Sequence, residues 1–100
     1  MLATIRVAID TQYKISFDYR REDGTPSQRT VWPLGLFFWG TVWTLGGWCE
    51  LRNSFRNFRL DRMLMVEQQD EQYPLLEGRR LNDMIREFCE HEEEAENAAV

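Results

Sequence analysis

Residues 13–20 read YKISFDYR and alternate apolar with polar side chains at a period of two. This alternation predicts a strand that has one buried face and one solvated face. The pair Asp23-Gly24 follows closely, and its composition favours the tight turn of a hairpin. An antiparallel sheet with one buried side must therefore be part of the fold. The apolar face of this first strand consists of Tyr13, Ile15, Phe17 and Tyr19.

Four later runs also predict short strands, and glycine or proline interrupts two of them. Pro33 lacks an N–H group for the ladder, so it predicts an edge strand or a bulge in the second strand. Gly46 and Gly47 predict a bend or bulge in the third strand. The alternation slips at Asp61-Arg62, between the fourth and fifth strands. The four runs are residues 29–40, 41–51, 53–60 and 63–69.

Helical spacing appears on both sides of the predicted strands. Leu2, Ile5 and Ile9 predict an amphipathic helix over about residues 2–12. Leu81, Met84, Ile85 and Phe88 form a second helical stripe, whereas EHEEEAENAAV at the C-terminus shows no apolar periodicity and predicts a fraying or disordered tail. The pattern is typical of a mainly β fold, a small five-stranded barrel with an N-terminal helix and a C-terminal helical tail. Closure would suit such a bent sheet because it removes exposed edges.

The cysteines, the length of the apolar runs and the catalytic motifs exclude several classes of protein. Cys49 and Cys89 lie far apart without a CxxC partner, which predicts reduced thiols in a cytoplasmic protein. No apolar run approaches the ~18 residues of a membrane span. Cys89 and His91 are two residues apart, so on a helix they would point apart, and we expect no metal site. Without a catalytic Ser-His-Asp set or a phosphate loop, we expect neither enzymatic activity nor a cofactor.

Residues 47–62 concentrate arginine among aromatic side chains, although the whole chain carries a net charge of −5. Arginine grips phosphate through two-point contacts and stacks on aromatic rings. Interleaved arginine and aromatic residues are used to bind single-stranded nucleic acid. The alternative is that these arginines pair with the nearby acids Glu50, Asp18 and Asp61 and hold turns together. The arginines of this segment are Arg52, Arg56, Arg59 and Arg62.

An ordered series of motifs resembles the WYL domain of prokaryotic helix-turn-helix regulators of the DeoR type. The resemblance covers about residues 2–67 and implies an SH3-like, Sm-like barrel that senses an effector, with nucleic acid or nucleotide-like anions where effectors are known. It also implies an N-terminal helix-turn-helix domain in the full-length protein. This chain is then either an excised fragment or a stand-alone copy, and we favour the fragment. The motifs are ISFDYR…DG…S.R.V.PLGL, WTLGGWCELR and FRNFRLDRM, and PLLEGRRLNDMIREF resembles the connection that follows.

These observations predict a sensing domain over residues 1–67. A linker, a helix and an acidic tail follow it over residues 68–100. The family triplet Trp-Tyr-Leu is here Trp43-Thr44-Leu45, and Thr44 cannot stack on a base although it keeps a hydroxyl group. We predict that a single-stranded nucleic acid or a nucleotide binds at Arg52, Arg56 and Arg59, with Thr44 nearby and Arg29 able to join. Arg62 and Asp61 are predicted to be structural.

The alternative function is an Sm-like assembly module that dimerises and binds no effector. Phe37, Phe38 and Trp39 place large apolar groups on both faces of the second strand. If no helix covers the outer face, these groups predict a homodimer interface. Trp32 and Trp39 are the tryptophans that we expect to be exposed.

Overall fold

The computed structural model describes residues 1–21 and 23–89. In these residues one helix precedes five strands, and a second helix follows them. A single turn of 3-10 helix, Leu60–Arg62, separates the last two strands. The elements are α1 (Leu2–Thr11), β1 (Tyr13–Arg20), β2 (Pro26–Phe38), β3 (Trp43–Cys49), β4 (Ser54–Arg59), β5 (Met63–Gln72) and α2 (81–89).

The five strands form one antiparallel sheet in the order β4-β3-β2-β1-β5. The β1–β2 hairpin turns at Asp23-Gly24 as predicted, and Gly24 there has a φ of 86°. Pro33 marks a bulge, because the register of β2 against β3 shifts between Pro33 and Gly35. This shift changes the parity of β2, so that Val31 and Leu36 both face the inner core.

The inner face of the sheet holds the main core, together with Ile5 and Ala8 of α1. The sheet is bent enough for β1 and β4 to touch across this core. The Phe58 ring lies 5.1 Å from that of Tyr19, and the Arg59 N–H donates to the Tyr19 hydroxyl at 3.1 Å. The buried members of this core are Ile5, Ala8, Ile15, Phe17, Val31, Leu45, Cys49, Phe58 and Met63.

The predicted fold class, mainly β with a helix at each end, is confirmed. The predicted closure of the barrel is wrong, because no hydrogen-bonded ladder joins β4 to β5 among the described residues. Side-chain contacts across the core, rather than a closed ladder, hold the bent sheet together. Within the described part of the chain, no helix is both long and apolar enough to cross a membrane.

A second apolar cluster covers the outer face, where α2 and the segment before it pack on β2 and β3. Tyr73 stacks on Trp32 with ring centroids 5.7 Å apart, and its hydroxyl donates to the Pro33 carbonyl oxygen at 2.9 Å. The Arg79 guanidinium lies 4.3 Å from the Trp48 ring centroid. Trp32 is therefore buried, contrary to expectation, because residues beyond the sheet cover it. The predicted disordered tail, residues 90–100, lies outside the described residues.

Candidate anion-binding site

Four arginines line one pocket of about 290 Å³ at an end of the inner face. They come from four different places in the chain, namely the residue after β1, the first part of β2, the turn after β3, and β4. The pocket is lined by Tyr19, Arg21, Arg29, Cys49, Arg52, Arg56, Asn57 and Phe58.

Strand register explains why these arginines converge. Arg29 lies opposite Phe17 on β1, so its side chain belongs to the inner face of the sheet. Arg56 has the same parity as Phe58 on β4 and lies opposite Gly47, which has no side chain to fill the space. Arg52 lies in the turn from β3 to β4. That turn ends at Asn53, whose φ of 52° is tolerated better by asparagine than by most residues.

Arg29 forms the buried base of the pocket, with 5% of its surface exposed. One of its terminal nitrogens donates to the Ser27 hydroxyl and, at 3.2 Å, to the Gln28 carbonyl oxygen. Burial lowers the pKa of Arg29, and the positive charges of its arginine neighbours lower it further. The folded protein thus holds this guanidinium group where its charge is unfavourable in the absence of an anion.

The four pocket arginines are not neutralised by acids in the part of the chain that the structure describes. No carboxylate there lies within 4.0 Å of any of them. Glu50, which the alternative interpretation offered as a partner, instead binds Lys14 at 2.8 Å and accepts the Trp32 indole N–H at 2.8 Å. Burial raises the pKa of Glu50, but these two hydrogen bonds outweigh burial and hold the pKa below its usual value.

Arg59 lies apart from the pocket and is already paired. Its Nε and Nη2 donate to the two carboxylate oxygens of Asp61 at 3.1 and 2.7 Å, and these hydrogen bonds lower the pKa of Asp61. Arg56 and Arg59 are three residues apart on one strand, so their side chains leave opposite faces. Arg62 lies in the 3-10 turn with Asp61 and does not line the pocket.

Thr44 does not line the pocket either. It lies opposite Arg59 in the β3–β4 ladder and opposite Phe37 in the β2–β3 ladder. Its side chain is 8% exposed, and its hydroxyl accepts the Trp39 indole N–H at 2.8 Å. The position of the family tyrosine is therefore used here for a hydrogen bond to a neighbouring tryptophan.

The structure thus brings together Arg29, Arg52 and Arg56 of the predicted set and leaves Arg59 and Thr44 on the other face. Whether any of them binds a ligand stays a prediction. Sequence reasoning missed Arg21, although a signal was present. Arg21 directly follows β1, at the end of the hairpin whose other strand carries Arg29.

The described residues contain no group of three or more His, Cys, Asp or Glu side chains that could hold a metal ion. His91 lies outside these residues. The chemistry of the pocket is therefore that of its guanidinium groups, with the half-buried Tyr19 ring beside them. Such a site can neutralise and orient a negatively charged group.

Comparison with known proteins identifies a family and a structural relative. The family model of the WYL domain matches residues 1–68. Among the solved structures, proteasome accessory factor B/C (PafBC) of Arthrobacter aurescens is similar to this chain, with 27% sequence identity and a TM-score of 0.69. The match covers 74% of this chain but only 12% of that one. None of the curated proteins matches this chain.

Proposed function

This chain belongs to the WYL domain family, and on that premise we propose that it is the effector-sensing domain of a bacterial transcriptional regulator. The effector is an anion, either a single-stranded nucleic acid or a nucleotide, and it binds in the arginine pocket. Arg21, Arg29, Arg52 and Arg56 hold its phosphate. The domain has no catalytic role and acts in the cytoplasm.

The observation that carries the proposal is the convergence of four guanidinium groups that no carboxylate among the described residues neutralises, in a chain with a net charge of −5. Burying a charge without a partner is costly, and buried charges in proteins are usually paired. Arg29 is buried beside three like charges, and no carboxylate among the described residues balances it. A bound anion would supply the missing negative charge and make this arrangement favourable. Residues with perturbed pKa values often cluster in the clefts of functional sites.

The chemistry of the pocket suits a phosphate group. Each guanidinium group offers a planar fork that matches two phosphate oxygens. The volume, about 290 Å³, is at the lower end of the roughly 300–1,000 Å³ that small-molecule sites enclose. This volume supports one nucleotide unit, either free or as part of a strand. Tyr19 supplies the aromatic surface on which a sugar or base can pack.

The domain would work by changing the arrangement of a partner domain. We propose an N-terminal helix-turn-helix domain as that partner, because α1 packs against β1, β2 and β5 and so connects the N-terminus to the sheet that carries the pocket. Effector binding would draw β1, β2 and β4 towards the anion, and α1 would transmit the change. A ligand shifts such an equilibrium only by its differential affinity for the two arrangements.

Replacing Arg56 with alanine is expected to weaken the binding of a labelled single-stranded oligodeoxythymidylate about tenfold at low salt. The loss follows from one guanidinium–phosphate contact at an exposed residue, which contributes about 1.5 kcal/mol, the lower end of the range for hydrogen bonds to charged groups. Arg59→Ala is the matched control, because Arg59 lies on the same strand but is paired with Asp61 outside the pocket. Its affinity should stay within about twofold of the wild type. The measurement is fluorescence anisotropy at two salt concentrations, and binding must weaken as salt rises.

Two results would contradict the proposal. One is a wild-type protein that binds neither the oligonucleotide nor a labelled nucleotide at low salt. The other is an Arg59→Ala variant that loses as much affinity as Arg56→Ala, since the pocket would then not be the binding site.

A second candidate function is homodimerisation without an effector, and one observation favours it. The tip of the β2–β3 hairpin exposes Phe38 to 55% and Trp39 to 58%, whereas Phe37 between Leu36 and Phe38 packs in the outer cluster. Phe38→Asp should convert a dimer to a monomer in sedimentation velocity experiments, because it places a charge in the centre of this apolar tip. A wild-type chain that sediments as a monomer at high concentration would remove this candidate.

A further inference from the structure

The arginine pocket continues into two further grooves around the open edge of β4. Among the described residues β4 pairs only with β3, so its other edge carries no neighbouring strand. The middle groove, of about 440 Å³, is lined by Ser54, Phe55, Arg56, Asn57, Glu87 and Phe88. The outer groove, of about 280 Å³, is lined by Phe37, Trp39, Asn57, Ile85, Phe88 and Cys89.

Shared side chains join these three cavities into one path. Arg56 lines both the arginine pocket and the middle groove, and Phe88 lines both the middle groove and the outer groove. Asn57 lines all three cavities. Because Arg56 and Asn57 are adjacent on β4, their side chains leave opposite faces of the strand. A chain-like ligand can therefore pass from the inner face of the sheet to the outer face around the edge of β4.

The chemistry of this path changes from guanidinium groups at one end to aromatic rings at the other. The outer groove presents the rings of Phe37, Trp39 and Phe88. Trp39 is 58% exposed, yet its indole N–H donates to the Thr44 hydroxyl at 2.8 Å, which holds the ring in one orientation. The Phe37 ring lies beside it, with centroids 6.4 Å apart and planes inclined by 31°. These rings offer a nucleic-acid base a preformed aromatic surface.

We propose that the effector is a single strand rather than a free nucleotide, and that it crosses β4 with a phosphate in the arginine pocket and a base on Trp39. This inference rests on the proposed function, whose site supplies the phosphate contact. Proteins bind single strands by combining charge for the backbone with aromatic rings for the bases. With one nucleotide unit in each cavity, the path holds roughly three to four nucleotides, near the lower end of the sites of about 4–16 nucleotides that OB folds provide.

Glu87 determines which side of the strand faces the helix. It lines the middle groove together with Arg56. A phosphate would be repelled by Glu87 and attracted by Arg56, so the sugar–phosphate backbone follows β4 and the bases turn towards α2. Phe88 and then Trp39 are the rings that bases in this orientation meet.

Ligand length and one substitution test the inference on the full chain. The probes are labelled thymidine monophosphate and labelled oligodeoxythymidylates of increasing length, titrated by fluorescence anisotropy at low salt. Affinity should rise with length until the strand spans all three cavities and then level off. Trp39→Ala should weaken the binding of the longer strands about tenfold, the loss expected for one stacked base. It should leave the affinity for the monophosphate within about twofold of the wild type, because the monophosphate reaches only the arginine pocket.

Phe38→Ala is the matched control for this substitution. Phe38 is adjacent to Trp39 at the same hairpin tip and is similarly exposed, at 55%, but it lines none of the three cavities. The control should bind every probe as the wild type does. Ultraviolet cross-linking of the longer strand, mapped by mass spectrometry, should modify Trp39 or Phe88 in the wild-type protein.

A Trp39→Ala variant that binds the longer strands as tightly as Phe38→Ala does would overturn the inference. So would a wild-type protein that binds the monophosphate as tightly as the longest strand. The proposed function survives either result if Arg56→Ala still weakens the binding of the monophosphate. If Arg56→Ala instead leaves the binding of every probe unchanged, the proposed function fails, and the inference fails with it because no phosphate occupies the arginine pocket.

Discussion

Gly47→Ala is expected to destabilise the fold by about 3 kcal/mol, at the upper end of the usual cost of overpacking. A Cβ atom at this position would overlap the carbonyl oxygen of Trp32 and would lie 2.7 Å from Cγ1 of Val31. Gly47 pairs with Pro33 at the bulge, where β2 and β3 approach closely. The obstacle is a backbone atom of the central strand, which cannot move without breaking the ladder.

Two neighbouring glycines provide controls for this prediction. At Gly46 the added carbon would meet the end of the Met84 side chain at 2.7 Å and the Phe37 ring at 2.9 Å. Both are side-chain atoms rather than backbone atoms, and the thioether is flexible. We expect Gly46→Ala to cost about 1 kcal/mol. At Gly35 the nearest atom is Cδ1 of Leu81 at 3.3 Å, so Gly35→Ala should be close to neutral. Urea unfolding followed by tryptophan fluorescence measures all three. A Gly47 variant as stable as the Gly35 variant would contradict the packing described for the bulge.

Local patterns predicted the strands well because each pattern has a cause within a few residues. The alternation in residues 13–20 coincides with β1, and the slip at Asp61-Arg62 coincides with the 3-10 turn. Pro33 marks the bulge because a missing N–H group changes the ladder at that residue itself. The burial of Trp32 depends instead on Tyr73 and α2, which lie far away in sequence. No local pattern contains that information.

The arginine site was predictable only in part, for the same reason. Closeness in sequence suggested that Arg56 and Arg59 act together, but strand parity places them on opposite faces. Parity could have been applied to the sequence, since Arg56 shares its parity with Phe58. The approach of Arg21 and Arg29 to Arg52 and Arg56 depends on the bend of the sheet, which brings β1 against β4. That bend follows from long-range packing of aromatic side chains.

Arg29→Met should weaken effector binding more than the other substitutions do. It should at the same time increase the stability of the fold. Burial and like charges lower the pKa of Arg29, so the folded state disfavours its protonated form relative to the unfolded chain. The charge therefore opposes folding. Methionine fills a similar volume without charge, and we expect a gain of about 1 kcal/mol, or roughly 4 °C in Tm. Binding of oligodeoxythymidylate should fall about 30-fold or more, because the buried base of the pocket is lost.

Arg29→Lys is the control that separates charge from geometry. Lysine keeps the positive charge but replaces the planar fork by a single ammonium group, so it should retain part of the affinity and none of the gain in stability. Thermal unfolding and anisotropy titration of the same samples measure both effects. A Met variant that is less stable than the wild type would show that Arg29 serves packing and its hydrogen bonds to Ser27 and Gln28. A Met variant that is stabilised but binds with wild-type affinity would show that the effector does not reach Arg29. Only increased stability together with lost binding agrees with a guanidinium group held at a cost for an anionic ligand.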